Sequence, residues 1–353
     1  MLGRRFCDYF SLARDQKFLF LPLLLSLAWI TGCQPAETVT LITGKTMGTT
    51  YRVSILLTNP SEQLQSTETS IKKELKKINR LMSNYDFDSE LSRFNVSNQS
   101  RPFFISPETL EVVQFSLFLA RVTGGAFDPT VGPLVDLWGF GPPGSIRAPP
   151  TEKSLQETLQ IVGYKALVLD ANTFALSAQD KRRLDLSAVA KGYAVDQISK
   201  LLDRAGYSNY LVEIGGELRS KGTKQEDLPW RVAVELPERL RGSVYRTLPL
   251  INQAIATSGD YRNYFQYEQR HFSHTIDPRT GSPVTHSLTS VTVLADSAME
   301  ADGWATALSV LGPVEGAALA DQRGVAALML VRDGSGLKLI ESQAFKDYIE
   351  AVR

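Results

Sequence analysis

Apolar positions along this chain recur at two periods, and the changes from one to the other predict its elements. Thr46 to Leu57 alternates in the manner of a strand with one buried face, whereas Ile71, Leu75, Ile78 and Met82 fall at helical spacing within Thr69 to Met82. Ser106-Pro107-Glu108 supplies a cap, a first-turn proline and an early acid for a helix that Gly124 and Gly125 close. Thr151 caps another, ending near Gly163. Short strands are predicted at Ala166 to Asp170, Phe174 to Ala178 and Arg183 to Ser187, and a helix from Ala188 to Arg204. Strands then dominate, at Tyr210 to Arg219, Trp230 to Leu236, Thr247 to Ile255 and Leu288 to Leu294. Ser297-Ala298-Met299-Glu300 reads as a capping box for a helix to Leu311, and a further helix, two strands around Gly334 and a terminal helix follow. Strands interleaved irregularly with helices predict an α+β fold with mixed or antiparallel sheets and flanking helices.

The start of the chain reads differently. Arg4, Arg5, Arg14 and Lys17 precede an apolar run of 13 residues, Phe18 to Ile30, too short to span a bilayer comfortably and suited to a signal-peptide core. Small residues then lead to Cys33, as in a bacterial lipobox, so residues 1–32 are expected to be a lipoprotein signal, Cys33 the lipidated position and residues 33–44 a tether. The expected place is a bacterial membrane at its periplasmic face. Residues 45–353 form the expected single globular domain.

Composition narrows the chemistry. Lys plus Arg number 38 and Asp plus Glu 38; taking away the four basic and two acidic residues of the first 32 leaves 34 against 36, which is no basic footprint for nucleic acid. The two cysteines, Cys7 and Cys33, lie before the globular part, which excludes a disulfide framework and thiolate metal sites there. The three histidines fall between 271 and 286, so a metal would sit on oxygen ligands.

Asp302 and Thr306 stand four residues apart on one predicted helix and share a face, which makes a partial oxygen site for a hard cation such as Mg²⁺. An acid in a first helical turn is also what the helix dipole favours, and spacing alone leaves both readings open. Asp185 through Gly192 runs into a helix start, where free amides and Lys191 can meet a phosphate or simply form a capped end. The glycines of Gly124 through Gly132 permit close approach to a ligand, and those of Glu213-Ile214-Gly215-Gly216-Glu217 imply a bulge or a closely approaching molecule. His274, before the Asp277-Pro278-Arg279-Thr280-Gly281 turn, is suited to removing a proton from a hydroxyl near neutral pH.

In order along the chain, Lys45-Thr46-Met47-Gly48-Thr49, Met82 through Asn95, the Gly-Gly-Ala-Phe-Asp-Pro loop, Asp185 through Gly192 and His274 through Gly281 resemble the ApbE family of FAD:protein FMN transferases. Ala256 through Tyr261, then Asp302 and Thr306, fit as well, so the likeness runs from Lys45 to the C-terminus. The resemblance implies an α+β domain with a ligand cleft between two halves. It implies that Met47, Tyr85, Ala126, Phe127, Asp128, Asp185, Lys191 and Ile276 contact FAD. It also implies that Asp302, Thr306 and the carbonyl of Ala188, with Ala305 adding its own, bind Mg²⁺, and that His274 is the base. The implied reaction moves FMN from FAD to a threonine of an exported acceptor, a subunit of a membrane redox complex, and releases AMP. FAD hydrolysis and non-catalytic FAD binding are the alternatives the same residues allow. Three departures stand out: Val189 replaces a commoner Ile, Glu217 stands where Asp is frequent, and Gly303-Trp304 replaces a small aliphatic pair.

Overall fold

The computed structural model describes residues 37–58, 62–141, 148–235, 244–259, 264–334 and 336–352. The expected signal segment, Cys33 and the first part of the expected tether lie outside the described residues, as does most of the loop holding Pro142-Pro143-Gly144.

The first elements are β1 (Thr38–Thr46), β2 (Thr49–Leu57), α1 (Glu62–Met82), α2 (Glu90–Val96), β3 (Phe103–Phe104), α3 (Pro107–Val122), α4 (Gly132–Leu137) and α5 (Glu152–Gln160). Next come β4 (Leu167–Asp170), β5 (Ala175–Ala178), α6 (Ser187–Arg204), β6 (Tyr210–Ile214), β7 (Glu217–Lys221), β8 (Trp230–Glu235), β9 (Val244–Leu250) and β10 (Ala254–Gly259). The chain ends with β11 (Tyr264–Tyr267), β12 (Arg270–Ser273), β13 (Ile276–Asp277), β14 (Ser282–Pro283), β15 (Leu288–Ala295), α7 (Ala298–Arg323), β16 (Ala326–Asp333), β17 (Gly336–Glu341) and α8 (Gln343–Ala351).

An eight-stranded antiparallel sheet in the order β1-β2-β6-β7-β10-β15-β16-β17 organises the domain. Both of its faces are covered, and strand periodicity shows how. Ala254, Ala256, Val291, Val293, Ala327 and Met329 point into the larger core beneath α1, α6 and α7. Their neighbours Ile255, Leu294 and Leu328 point the other way, onto Trp230 and Leu248 of the β8–β9 ribbon and Phe345 of α8. Burial on two faces explains why β15 is buried at every position but its last. A third, smaller apolar cluster gathers Leu134, Trp138, Phe265 and Ile276.

Helix starts follow their caps. Ser106 accepts from the Thr109 N–H, Thr151 from Ser154 and Ser297 from Glu300. The expected helix to Leu311 and its successor are joined across a kink, because Gly312 has φ 77 and ψ −176 and Pro313 cannot donate. Among the described residues no helix is long and apolar enough to cross a membrane.

Four expectations are corrected. Residues 38–44, assigned to a tether, form most of β1 and pair with β2 from Thr38↔Leu57 onward. Tyr210 to Arg219 is two strands joined by a tight turn at Gly215 and Gly216, with Ile214 facing Glu217. Thr247 to Ile255 is likewise divided between β9 and β10. Arg183 to Ser187 is no strand: its backbone is satisfied by side chain and loop instead of a ladder. Leu184 exchanges two hydrogen bonds with the Asn95 amide, at 2.8 and 2.9 Å, and the Asp185 N–H donates to the Pro129 carbonyl at 2.7 Å.

Candidate functional site

The site begins where α6 and α7 touch. Gly192 of α6 packs so closely on the first turn of α7 that a Cβ there would lie 2.2 Å from the Ala298 carbonyl oxygen. One turn further along α6, the buried Asp196 accepts from the Ala298 and Met299 N–H groups at 2.9 and 3.0 Å, capping α7 from outside. This crossing carries Asp302 to Gly192, whose N–H donates to Asp302 Oδ2 at 3.1 Å.

Asp302, Thr306, Ser309 and Val310 form one stripe of α7 on the wall of a cavity of about 560 Å³. The small cluster and its loops add Val131, Phe140, His274 and Ile276 to the wall. The N-terminal turn of α6 gives Ser187, Ala188 and Lys191, and the β6–β7 turn gives Gly215, Gly216 and Glu217. Thr306 Oγ1 lies 3.3 Å from the Ser258 hydroxyl on β10. The His274 ring stands edge-on to Phe140 with centroids 6.2 Å apart.

Charge is concentrated at one end. Asp302 is 4% exposed and Glu217 6%. Lys191 Nζ lies between them, 3.4 Å from Glu217 Oε1 and 3.8 Å from Asp302 Oδ2. Burial pushes the Asp302 carboxyl up to about 8, against the pull of Lys191 and with the push of Glu217. Burial raises Glu217 as well. The Lys191 ammonium, drawn down by burial, is held above its ordinary value by Asp302 and Glu217, then by Asp185. Two buried carboxyl groups stand beside one ammonium, and Glu217 Oε2 is buried without a hydrogen-bond partner among the described residues.

Of the positions singled out in the sequence, the fold brings together Tyr85, Asp185, Ala188, Lys191, His274, Ile276, Asp302 and Thr306 on this cavity. Asp185 Oδ1 accepts from the Asn84 amide at 2.8 Å and from the Ser187 N–H at 2.9 Å, which fixes the entry to α6. Met47, Ala126, Phe127, Asp128 and Ala305 are not among the lining residues, and each has a physical reason. Met47, at φ 49, makes the β1–β2 turn with Gly48 and packs partly buried on the larger core. Ala126 and Phe127 are core residues. Asp128 spends its oxygens on Thr130 N and Oγ1, at 2.8 and 2.6 Å, and on Tyr164 N at 2.8 Å, while burial pushes its carboxyl up. Ala305 lies at the edge of the α7 stripe and is fully buried in the core. Trp304, on the far side of the stripe, is buried in the same core.

Sequence reasoning missed Asn84, Arg183, Glu217 and Ser258 as wall residues. A charged residue just after a Gly-Gly turn was the available signal for Glu217. The others depend on contacts between distant segments.

Fold and cleft define an α+β protein with a polar cavity that is acidic at one end. The chain belongs to the ApbE family, whose sequence model matches residues 47–329. A Vibrio cholerae relative, FAD:protein FMN transferase, is 43% identical over 94% of this chain and 98% of its own length. A relative of the same name from Escherichia coli K12 is 38% identical over 94% of this chain and 97% of its own. The solved structure of flavin transferase ApbE from Vibrio cholerae superposes with a TM-score of 0.81 at 41% identity, covering 88% of this chain and 99% of that one. Apo flavinyl transferase ApbE of Pseudomonas stutzeri gives 0.82 at 36% identity, over 89% and 97%.

Proposed function

We propose that this enzyme transfers the FMN half of FAD to a threonine hydroxyl of an acceptor protein, with Mg²⁺ bound and AMP released. The observation that carries the reading is the buried, carboxyl-rich end of the cavity, where Asp302, Thr306, Glu217 and Lys191 meet, in a chain whose relatives are FAD:protein FMN transferases. Among the described residues no three His, Cys, Asp or Glu side chains converge as a metal cluster, so a resident cation needs other oxygens. The donor set suits a hard cation that keeps open positions for water and phosphate: the Asp302 carboxylate, the Thr306 hydroxyl and the Ala188 carbonyl would hold it. When bound, Mg²⁺ would neutralise diphosphate charge and polarise the reacting phosphorus.

The remaining work falls to the chain. Lys191 offers an ammonium to the phosphate oxygens as charge develops on them. Tyr85 and Ile276 offer ring and aliphatic surface to the flavin end. His274, on the cavity wall, accepts the threonine proton on a ring nitrogen as the Oγ–P bond forms. The bond from phosphorus to the bridging oxygen breaks, and that oxygen leaves with AMP.

Incubating the protein with FAD, Mg²⁺ and an exported threonine-containing acceptor is expected to leave covalent flavin fluorescence on the acceptor in a denaturing gel. A threonine-to-valine acceptor should stay dark. FMN and AMP released at similar rates with and without acceptor would instead establish hydrolysis, and intact bound FAD after hours would establish a binding protein. Family likeness supports, as the acceptor, a subunit of a membrane redox complex on the periplasmic side. The basic and apolar run before Cys33 supports placing this enzyme there too, lipid-anchored, and the mass of its mature N-terminus tests that: a diacylglyceryl cysteine at Cys33 is expected, and an unmodified or uncleaved end would remove the anchor.

A further inference from the structure

Between the two buried carboxylates of the cavity stands a cation that belongs to the chain itself. The Lys191 ammonium is 3.4 Å from Glu217 and 3.8 Å from Asp302, and it donates to the Ser187 carbonyl at 3.2 Å. Asp302 is held at the α6–α7 crossing by the Gly192 N–H, and Glu217 is buried beside the Gly215 turn. The lysine reaches them on four methylenes and can move without unfolding anything. The second oxygen of Glu217 is buried with no hydrogen-bond partner among the described residues.

We propose that Lys191 is the internal counter-ion of the metal-free site. It competes with the divalent cation for Asp302, and Glu217 is the positioning residue that keeps hold of the ammonium when the cation displaces it. The inference rests on the cation site of the proposed function. Like charges cannot share Asp302 closely, so cation binding drives the ammonium toward Glu217, where the unpartnered Oε2 gives it a second acceptor. The displaced ammonium then faces the open cavity, ready for phosphate. Cation and dinucleotide thereby favour each other's binding, and in the absence of both the site carries its own neutraliser.

The test is a titration of the full-length protein with Mn²⁺, without FAD and at one fixed pH, read from the electron paramagnetic resonance signal of free Mn²⁺. Lys191→Met removes the competitor and should tighten Mn²⁺ binding by about tenfold, the gain expected if the lysine leaves roughly one molecule in ten competent. Lys191→Arg retains a competing charge and should keep the wild-type affinity. FAD binding, followed by flavin fluorescence, should weaken in Lys191→Met although its metal is held more tightly. Equal or weaker Mn²⁺ binding by Lys191→Met overturns the competition. Should that variant fail to fold with two uncompensated carboxylates, Lys191→Met/Glu217→Gln against Glu217→Gln alone makes the same comparison with one charge of each sign removed. Absence of Mn²⁺ binding from wild type and variants alike would defeat the cation site itself, a result distinct from equal affinities.

Discussion

Asp302→Ala is expected to lower Mg²⁺-dependent flavin transfer by about a thousandfold or more, the equivalent of the several kcal/mol that Lewis-acid charge neutralisation supplies. The argument is geometric. Asp302 is the one carboxylate on the α7 stripe that lines the cavity, it is almost wholly buried, and the neighbouring hydroxyls of Thr306 and Ser258 are neutral ligands at best. Flavin transfer at the wild-type rate in Asp302→Ala would remove the metal assignment.

The same residue predicts a pH dependence. Burial raises its folded carboxyl to about 8, above an unfolded value of about 4, so in the cation-free protein the proton it takes up stabilises the fold at low pH. That contribution is complete below about 4 and is lost as pH rises through about 8. Asp302→Asn should therefore gain stability relative to wild type across this range in chelator, read as a difference in urea midpoint at each pH. A cation binds the deprotonated form, so its stabilising effect on wild type should grow over the same interval. A pH-independent gap between the two proteins would show that Asp302 stays ionised throughout.

Local rules were the legible part of this chain. Serine and threonine caps announced α3, α5 and α7, and an i, i+4 spacing was enough to put Asp302 and Thr306 on one face, because both signals span a single helical turn. The segment Arg183 to Ser187 looked like a strand because its pattern alternates, but its hydrogen bonds are made by Asn95 and Pro129, and nothing local reports that. Sequence alone makes the glycines at 215 and 216 a bulge within one strand or a place where a molecule approaches closely. Their φ values of 68 and 110 instead turn the chain back on itself and set Glu217 beside Lys191. The loop at Ala126 to Asp128 carries motif residues that stand back from the cavity wall, and there Asp128 ties the loop after α3 to Tyr164. Family motifs record which residues matter, and only packing separates those that face a ligand from those that hold the scaffold.

Packing also sets the second large effect, at a residue with no side chain. Gly192→Ala is expected to destabilise the protein by about 3 kcal/mol, the upper end of overpacking costs, since the new methyl would meet main chain and not a side chain that could rotate away. Its Cβ would stand 2.2 Å from the Ala298 oxygen and 2.7 Å from the Met299 Cα. Alanine's better helix propensity works the other way by about 1 kcal/mol and does not offset this. Relief requires the first turn of α7 to retreat from α6. That would lengthen the bonds from Ala298 and Met299 to Asp196 and the bond from Gly192 to Asp302. Flavin transfer should therefore fall together with the urea midpoint. Gly324→Ala provides the contrast, at the end of α7 with φ 65 and open space around it. It should cost about 1 kcal/mol of backbone strain and leave transfer untouched. If Gly192→Ala kept both wild-type stability and full activity, the close crossing of α6 and α7 would not be what positions Asp302.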